Sequence, residues 1–270
     1  RLVEALNQAG LGLILDIVPN HMAASIENAW WQDVLRHGKT SRYAEVFDID
    51  WSERLTLPVL GQPLQAALAA GELEVVRHSA DGTLNLKYFD ALFPLDPQSV
   101  LALEVESLRA ANDDQALQQL SGDSEQLHQL LERQHWQLIC WKEAAQHLSY
   151  RRFFEITGLV GVRVEEDDVF RQTHRLIVEL VKAGQVQGLR IDHVDGLADP
   201  AGYLDRLRSA VGEDIFITVE KILGAGEDIP SRWPVAGTTG YEFISAMSNL
   251  FIDGDGLRDL QKEYGLIDAQ

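Results

Sequence analysis

The sequence predicts an α/β protein with a parallel sheet, because three short apolar runs alternate with helical segments. The runs are LGLILDIVPNH (11–21), GLRID (188–192) and DIFITVEKIL (214–223). Apolar residues at helical spacing precede the first run at 2–9 and the second at 165–183, and a helix over 200–211 joins the second to the third. Strands alternating with helices lie parallel, so their carboxyl ends meet at one edge of the sheet.

The composition limits the classes of partner. The chain has 270 residues, is 46% hydrophobic and carries a net charge of −19, which argues against nucleic acid and anionic membrane surfaces as ligands. Its single cysteine, Cys140, excludes an internal disulfide framework and indicates a reducing, cytoplasmic compartment. The sequence contains neither a signal peptide nor an apolar run long enough to span a bilayer. Arg1 opens inside an apparent helix, so we expect the chain to be an excerpt.

The first run ends in polar residues. Gly10 is expected to end the first helix. The run that follows contains no charge before Asp16, which predicts a buried parallel strand, and Pro19 is expected to end that strand. Asn20 and His21 follow at the predicted mouth of the strand. A surface loop histidine is the alternative, but this position favours contact between His21 and a ligand.

Between residues 25 and 164 the pattern changes, which predicts an inserted and mainly helical subdomain. It contains a short helix over 28–38, a hairpin around Asp81 and Gly82, and a helical region from Gln98 to Leu148. Tyr43, Phe47 and Trp51 lie among acidic residues in SRYAEVFDIDW (41–51), which suits either sugar binding or a subdomain core. SYRRFFEI (149–156) suits either an anchor between subdomains or the wall of a cleft.

The second run ends in an ion pair. Alternation places Gly188, Arg190 and Asp192 on one face of the strand. A cation two residues from a carboxylate favours its ionised form and can fix its orientation by hydrogen bonds. Asp192 is therefore a candidate nucleophile or charge stabiliser that Arg190 holds, and the alternative is an ion pair that only stabilises the fold.

The third run also ends in a carboxylate, Glu220. Two carboxylates on neighbouring strand ends suit glycoside chemistry, in which one attacks the anomeric carbon and the other protonates the departing oxygen. We expect Asp192 to be ionised and Glu220, in a less polar setting, to be the proton donor. Metal binding by Asp192, His193, Asp195 and Glu220 is the competing hypothesis. The chain has no HExxH or similar spacing, so we expect neither a metal nor another cofactor.

These motifs resemble a known family. DIVPNH (16–21), GLRIDHVDG (188–196) and VEKIL (219–223) resemble ordered signatures of the α-amylase superfamily, glycoside hydrolase family 13. FDIDW (47–51), SYRRFFEI and GTTGYEF (237–243) resemble those members that rearrange maltooligosaccharides. The resemblance implies part of a (β/α)8 TIM barrel, with a long, mainly helical subdomain between its third and fourth strands. The implied domains are barrel at 1–24, insert at 25–164 and barrel at 165–270.

The resemblance also implies roles for single residues. Asp192 would be the nucleophile and Glu220 the acid/base, while Arg190 would orient Asp192 and His21 would contact the sugar. The full set of substrate-binding residues expected from it is Asn20, His21, Arg190, His193, Lys221 and Tyr241. Thr238 and Thr239 are weaker candidates, since GTTGY is also a turn signal. The family's third acid is expected beyond Gln270, so the excerpt alone should have little activity.

The implied activity is intramolecular transglucosylation, which converts the reducing-end α-1,4 bond of a maltooligosaccharide to α,α-1,1 with retention. Gly196 stands where hydrolysing amylases usually have histidine, and this favours rearrangement over hydrolysis. An amylase-like retaining hydrolase and an inactive glucan-binding fragment remain as alternatives. The expected partners are the maltooligosaccharide and a trehalose-releasing hydrolase that acts on the product, without nucleic acid or membrane.

Overall fold

The computed structural model describes residues 1–78, 82–101 and 114–268. Residue contacts divide the chain into two units, one formed by residues 1–19 and 174–270 and the other by residues 20–173. Among the described helices, none is long and apolar enough to cross a membrane. The two units are called the sheet unit and the insert unit below.

The elements of the described residues are as follows in chain order. The helices are α1 (Leu2–Gln8), α2 (Ala29–His37), α3 (Leu64–Ala69), α4 (Pro97–Leu101), α5 (Asp114–Gly122), α6 (Ser124–Glu132), α7 (Ala144–His147), α8 (Asp167–Lys182), α9 (Pro200–Val211), α10 (Tyr241–Leu250) and α11 (Gly254–Asp268). The strands are β1 (Ile14–Ile17), β2 (His21–Ala23), β3 (Leu55–Leu60), β4 (Leu73–Arg77), β5 (Leu84–Tyr88), β6 (Ala91–Pro94), β7 (Trp136–Cys140), β8 (Arg152–Phe153), β9 (Ile156–Gly161), β10 (Gly188–Ile191), β11 (Phe216–Val219) and β12 (Gly237–Thr238).

The sheet unit contains the predicted parallel sheet, with strand order β1-β10-β11-β12 and every neighbouring pair parallel. The register aligns Asp16 with Arg190, Arg190 with Thr218, and Thr218 with Gly237. The α/β class and the parallel arrangement are therefore confirmed. In the part of the chain that the structure describes, these strands form an open sheet rather than a closed barrel.

The elements of the sheet unit follow from local signals. Leu189, Ile191, Ile217 and Val219 are fully buried, as the apolar runs predict. Asp199 caps α9, because its Oδ1 accepts a hydrogen bond of 2.9 Å from the backbone N–H of Gly202. The strands β10 and β11 end at Ile191 and Val219, directly before the acidic residues described below.

The insert unit is a mixture of sheets and helices rather than mainly helical. It contains the antiparallel sheet β2-β9-β8, the parallel pair β3-β7 and the antiparallel sheet β4-β5-β6. The predicted helix over 28–38 is present as α2, and Gly38 follows its last residue. The predicted hairpin is present as β4 and β5, although its turn at Asp81 lies outside the described residues.

The prediction of a helical region from Gln98 to Leu148 is wrong at Trp136–Cys140, which forms β7 and pairs with β3. Residues 102–113 of that region lie outside the described residues. Leu127, Leu130 and Leu131, which have helical spacing, form the buried face of α6. Leu138 would extend this spacing, but it belongs to β7, where Trp136, Leu138 and Cys140 alternate toward the interior with a period of two. Trp141, directly after β7, is 59% exposed.

The aromatic residues of the SRYAEVFDIDW segment serve mainly as core. Phe47 is 1% exposed and packs edge-on against Trp31, with ring centroids 5.3 Å apart. Tyr43 is buried and stacks on Trp30. Of the two alternatives for this segment, the buried rings therefore favour a subdomain core over a sugar-binding platform.

Candidate active site

The two predicted catalytic carboxylates lie at the same edge of the parallel sheet. Asp192 and Glu220 are each the first residue after a strand, β10 and β11 respectively. The backbone N–H of Asp192 donates to Ile17 O at 2.9 Å, and that of Glu220 donates to Ile191 O at 2.7 Å. The ladder thus continues one step past the strands, which brings both carboxylates to their carboxyl ends.

A single guanidinium contacts both carboxylates. Arg190 Nη1 donates to Asp192 Oδ1 at 3.0 Å, and Arg190 Nη2 lies 3.5 Å from Glu220 Oε2. Nη1 also donates to Asp16 Oδ1 at 2.6 Å. The hydrogen bond to Asp16 is the largest of the effects that together raise the pKa of Arg190 above its usual value. Arg190 is thus a fixed cation among three acids, and the predicted contact with Asp192 is present.

Glu220 is held by groups from three parts of the sheet unit. Its Oε2 accepts from the His193 backbone N–H at 3.0 Å, and its Oε1 accepts from the Tyr241 hydroxyl at 3.0 Å. Burial raises the pKa of the Glu220 carboxyl, but the hydrogen bond from His193 lowers it. The Tyr241 hydroxyl and the charge of Arg190 lower it further, so this pKa lies below its usual value.

The donors around Glu220 favour its carboxylate form, and its side chain is 21% exposed. The hydrogen bond also raises the pKa of the Tyr241 hydroxyl, since Glu220 is an acceptor for its proton. The role of Glu220 as the proton donor stays a prediction.

The backbone at His193 makes one of these contacts possible. His193 has a left-handed conformation with φ of 47°, and a 3₁₀ turn from Val194 to Gly196 follows. This conformation is uncommon for a residue other than glycine. It ends the strand directly after Asp192 and gives the His193 N–H a carboxylate partner, so His193 contributes to the site through its backbone.

Lys221 forms ion pairs with two other carboxylates. Its Nζ lies 3.1 Å from Asp195 Oδ1 and 2.9 Å from Glu227 Oε1, and its side chain is 12% exposed. The hydrogen bond to Glu227 is the first cause that raises the pKa of Lys221, and Asp195 adds to it. These ion pairs stabilise the loop after β11, and contact between Lys221 and substrate stays a prediction.

Asn20 and His21 belong to the insert unit. His21 opens β2 and pairs with Gly161 of β9, so it lies in a strand rather than in a surface loop. Asn20 is 2% exposed, and its Oδ1 accepts from Arg151 Nη1 at 2.9 Å. The His21 ring packs on Phe153, with centroids 4.1 Å apart. The predicted contact of both residues with sugar stays a prediction.

The GTTGY stretch is part of the sheet and not only a turn. Thr238 lies in β12, and the Thr239 N–H donates to Val219 O at 3.0 Å. The Thr238 hydroxyl contacts Glu242 in the first turn of α10. This strand carries the chain to Tyr241, whose hydroxyl reaches Glu220.

The described residues contain no group of three or more His, Cys, Asp or Glu arranged to hold a metal ion. The positive charge that faces Asp16, Asp192 and Glu220 is the Arg190 guanidinium, which forms an ion pair with each of them. This arrangement gives no support to the competing metal hypothesis for Asp192, His193, Asp195 and Glu220.

Comparison with known proteins identifies the relatives of this chain. A Mycobacterium tuberculosis (strain H37Rv) protein described as a maltooligosyl trehalose synthase is 37% identical over 261 residues, which cover 95% of this chain and 30% of that protein. The solved structure of maltooligosyltrehalose synthase from Arthrobacter ramosus is 36% identical with a TM-score of 0.75, covering 94% of this chain and 30% of that one. Over nearly its whole length the chain is therefore similar to part of the maltooligosyltrehalose synthases.

A second structure, the DSM5389 glycosyltrehalose synthase, is 37% identical with a TM-score of 0.82, covering 97% of this chain and 34% of that one. No protein-family model matches the chain. The chain thus spans 30% of the length of the curated synthase it matches. Similarity across nearly the whole chain confirms the resemblance that the six sequence motifs indicated.

Sequence reasoning found most members of the site but missed how they are connected. Arg190, Asp192, Glu220 and Tyr241 come together, as do Asp16 and Arg190. No sequence pattern predicts the contact between Tyr241 and Glu220, because these residues are 21 positions apart with a loop between them. The pairing of Lys221 with Asp195 and Glu227 was also missed, although a lysine among loop acids was a signal for it.

Proposed function

We propose that the full-length protein converts the reducing-end α-1,4 bond of a maltooligosaccharide into an α,α-1,1 bond, which is a glucosylmutase activity in trehalose biosynthesis. The observation that carries the proposal is the pair Asp192 and Glu220, joined by Arg190 at the carboxyl edge of a parallel sheet. Identity of 37% to a protein described as a maltooligosyl trehalose synthase supports the choice of reaction.

In the proposed reaction Asp192 attacks the anomeric carbon while Glu220 protonates the oxygen of the last α-1,4 bond. The bond between that carbon and the oxygen breaks, and a β-glycosyl ester forms on Asp192. Glu220, now a base, takes the proton from the anomeric hydroxyl of the freed glucose. That hydroxyl attacks the anomeric carbon of the ester, the bond between this carbon and the Asp192 oxygen breaks, and the α,α-1,1 bond forms with net retention.

This mechanism needs Glu220 to carry a proton when substrate binds. A retaining route places the two carboxyl groups about 5–5.5 Å apart. Here Arg190 contacts both groups, with Nη1 3.0 Å from Asp192 Oδ1 and Nη2 3.5 Å from Glu220 Oε2. Loss of the contact between Glu220 and Arg190 when sugar enters raises the pKa of Glu220, which is what a proton donor requires.

The architecture around the site is part of the same proposal. In the full-length protein the sheet β1-β10-β11-β12 forms part of a (β/α)8 barrel, with barrel segments at 1–24 and 165–270 and an inserted subdomain at 25–164. Active sites of such barrels lie at the carboxyl ends of the strands, where Asp192 and Glu220 are. His21, His193 and Lys221 bind the sugar and Asn20 acts through His21, a third acid lies outside this chain, and a trehalose-releasing hydrolase takes the product.

Incubation of the full-length protein with maltopentaose tests the proposal. Formation of the α,α-1,1 bond removes the reducing end, so the reducing-sugar signal falls without a change in chain length. A rise in reducing sugar with shorter products supports the amylase-like hydrolase instead. Unchanged sugar in the presence of binding supports the glucan-binding alternative.

The variant Glu220→Gln tests whether the reaction takes place at this site. We expect it to lose turnover by at least about a thousandfold, since the residue is both acid and base, while maltopentaose binding remains. Glu213→Gln, on an exposed residue of the same unit, is the matched control and should retain wild-type turnover. Retained activity in Glu220→Gln contradicts the assignment.

A further inference from the structure

Arg151, in the SYRRFFEI segment, gathers oxygen atoms from three separate stretches of the insert unit. Its Nη1 donates to Asn20 Oδ1 at 2.9 Å, and its Nη2 donates to Val162 O at 3.1 Å and to Asn20 O at 3.5 Å. Its Nε donates to Asp48 Oδ2 at 2.8 Å. One guanidinium thus joins the end of the DIVPNH motif, the FDIDW motif and the end of β9, and every one of its nitrogens donates.

The surrounding backbone is built to admit this guanidinium. The Arg151 N–H donates to Asp48 O at 2.9 Å, and the Gly161 N–H donates to Arg151 O at 2.7 Å. A Cβ on Gly161 would lie 2.6 Å from Arg151 Cζ, so only glycine leaves room there. The carboxylate of Asp48 balances the positive charge.

This arrangement also determines how Asn20 contacts His21, because the Asn20 amide lies between Arg151 and His21. Arginine only donates, so the Asn20 amide oxygen must face Arg151 and the amide nitrogen must face the other way. That nitrogen lies 3.5 Å from His21 Nδ1, which is therefore the acceptor of this contact. His21 then carries its proton on Nε2, where it can donate to a hydroxyl group.

The same segment supports His21 from a second side. Phe153, two residues after Arg151, packs its ring on the His21 imidazole at 4.1 Å between centroids. Arg151 and Phe153 thus restrain the ring by a hydrogen-bonded amide and by an aromatic contact. Arg152, between them, instead pairs with Glu155 and donates to Phe154 O.

We propose that Arg151 is a positioning residue, which acts through Asn20 to hold the His21 imidazole in the orientation and tautomer that donate to the sugar. The inference rests on the proposed function, because His21 binds substrate only within it. A lysine cannot replace Arg151, since a single ammonium does not reproduce three planar nitrogens that donate to four oxygens.

The test is a double-mutant cycle in the full-length protein, with maltopentaose as substrate and trehalose-type product as the measurement. Arg151→Lys should lower kcat/KM by about tenfold to a hundredfold, as a misplaced group near the chemistry does. Arg152→Lys, the neighbouring control, should stay within about twofold of wild type. In a His21→Ala background, Arg151→Lys should cause almost no further loss, since its effect passes through His21.

A structural role that is independent of His21 predicts the opposite result. Arg151→Lys would then lower kcat/KM by the same factor with and without the His21 side chain, and this additivity overturns the proposal. Wild-type kcat/KM in Arg151→Lys overturns it as well.

The isosteric variant Asn20→Asp covers the case in which Arg151→Lys does not fold. It keeps an acceptor for Arg151 but removes the donor to His21 Nδ1, so its loss of kcat/KM should also vanish in the His21→Ala background. An additive loss overturns the proposal. Absence of product from the wild-type protein is a failure of the proposed function instead, so the two outcomes are distinct.

Discussion

The ionisation of Glu220 is set by residues that are far from it in the chain. Tyr241, His193 and Arg190 all contact its carboxyl group, and together they lower its pKa despite partial burial. The preceding residues Val219 and Thr218 predict a less polar setting and a protonated acid from sequence alone. The pairing of Arg190 with Asp192 was predictable, since two residues apart on a strand means the same face. The left-handed turn at His193 was not, because a histidine carries no local signal for it.

The lowered pKa of Glu220 predicts how stability depends on pH. Its pKa is lower in the folded protein than in the unfolded chain, so its contribution is present above the unfolded value of about 4.5 and is lost as pH falls through the folded value. Wild type should therefore lose more stability than Glu220→Gln between about pH 6 and about pH 3. Urea unfolding at both pH values measures this, with Glu213→Gln as control. Equal losses in wild type and Glu220→Gln contradict the prediction.

At the scale of elements, strands and helices were predictable where the apolar residues follow a single period, that of a strand or that of a helix. The strands of the parallel sheet are short apolar runs bounded by glycine and charged residues. The apolar side chains of β10 and one face of β11 are buried as expected, whereas Ile14 of β1 and Phe216 of β11 are exposed by 54% and 48%. At β7 the run WQLIC follows a true amphipathic helix, and Leu138 continues its leucine pattern by coincidence. Five residues are too few for periodicity to separate strand from helix, and pairing with β3 decided the outcome.

The start of α9 gives a prediction at this scale. Asp199→Ala removes the side chain that accepts from the Gly202 N–H, which should lower the free energy of unfolding by about 1 kcal/mol. Asp205→Ala, on an exposed position of the same helix, should change it by less than about 0.5 kcal/mol. Urea unfolding of both variants measures the difference. Equal effects would show that the cap does not stabilise this helix.

At the scale of the molecule, the chain covers 30% of the curated synthase it resembles, and the end of the sheet unit has an apolar surface. Four residues around α10 are largely exposed: Phe243 by 65%, Ile244 by 61%, Leu250 by 67% and Phe251 by 85%. Exposed apolar patches of this kind mark surfaces that other parts of a protein cover. A single chain's sequence shows α10 as amphipathic but does not show what packs on it.

This surface predicts a difference between the 270-residue segment and the full-length protein. The segment should bind the dye ANS strongly, and the full-length protein should bind several-fold less per molecule, because the remaining chain covers α10. Replacing Phe243 and Phe251 by Ser should reduce dye binding by the segment. Equal dye binding by the segment and the full-length protein contradicts the prediction.

The network around Arg190 has a thermodynamic consequence for the arrival of sugar. If substrate separates Glu220 from Arg190, the carboxylate must gain a hydrogen ion from the medium before it can act as a donor. Complex formation then consumes hydrogen ions, so affinity should weaken as the solution becomes more alkaline. The heat of association should also vary with the ionisation enthalpy of the buffer, in proportion to the number of hydrogen ions taken up.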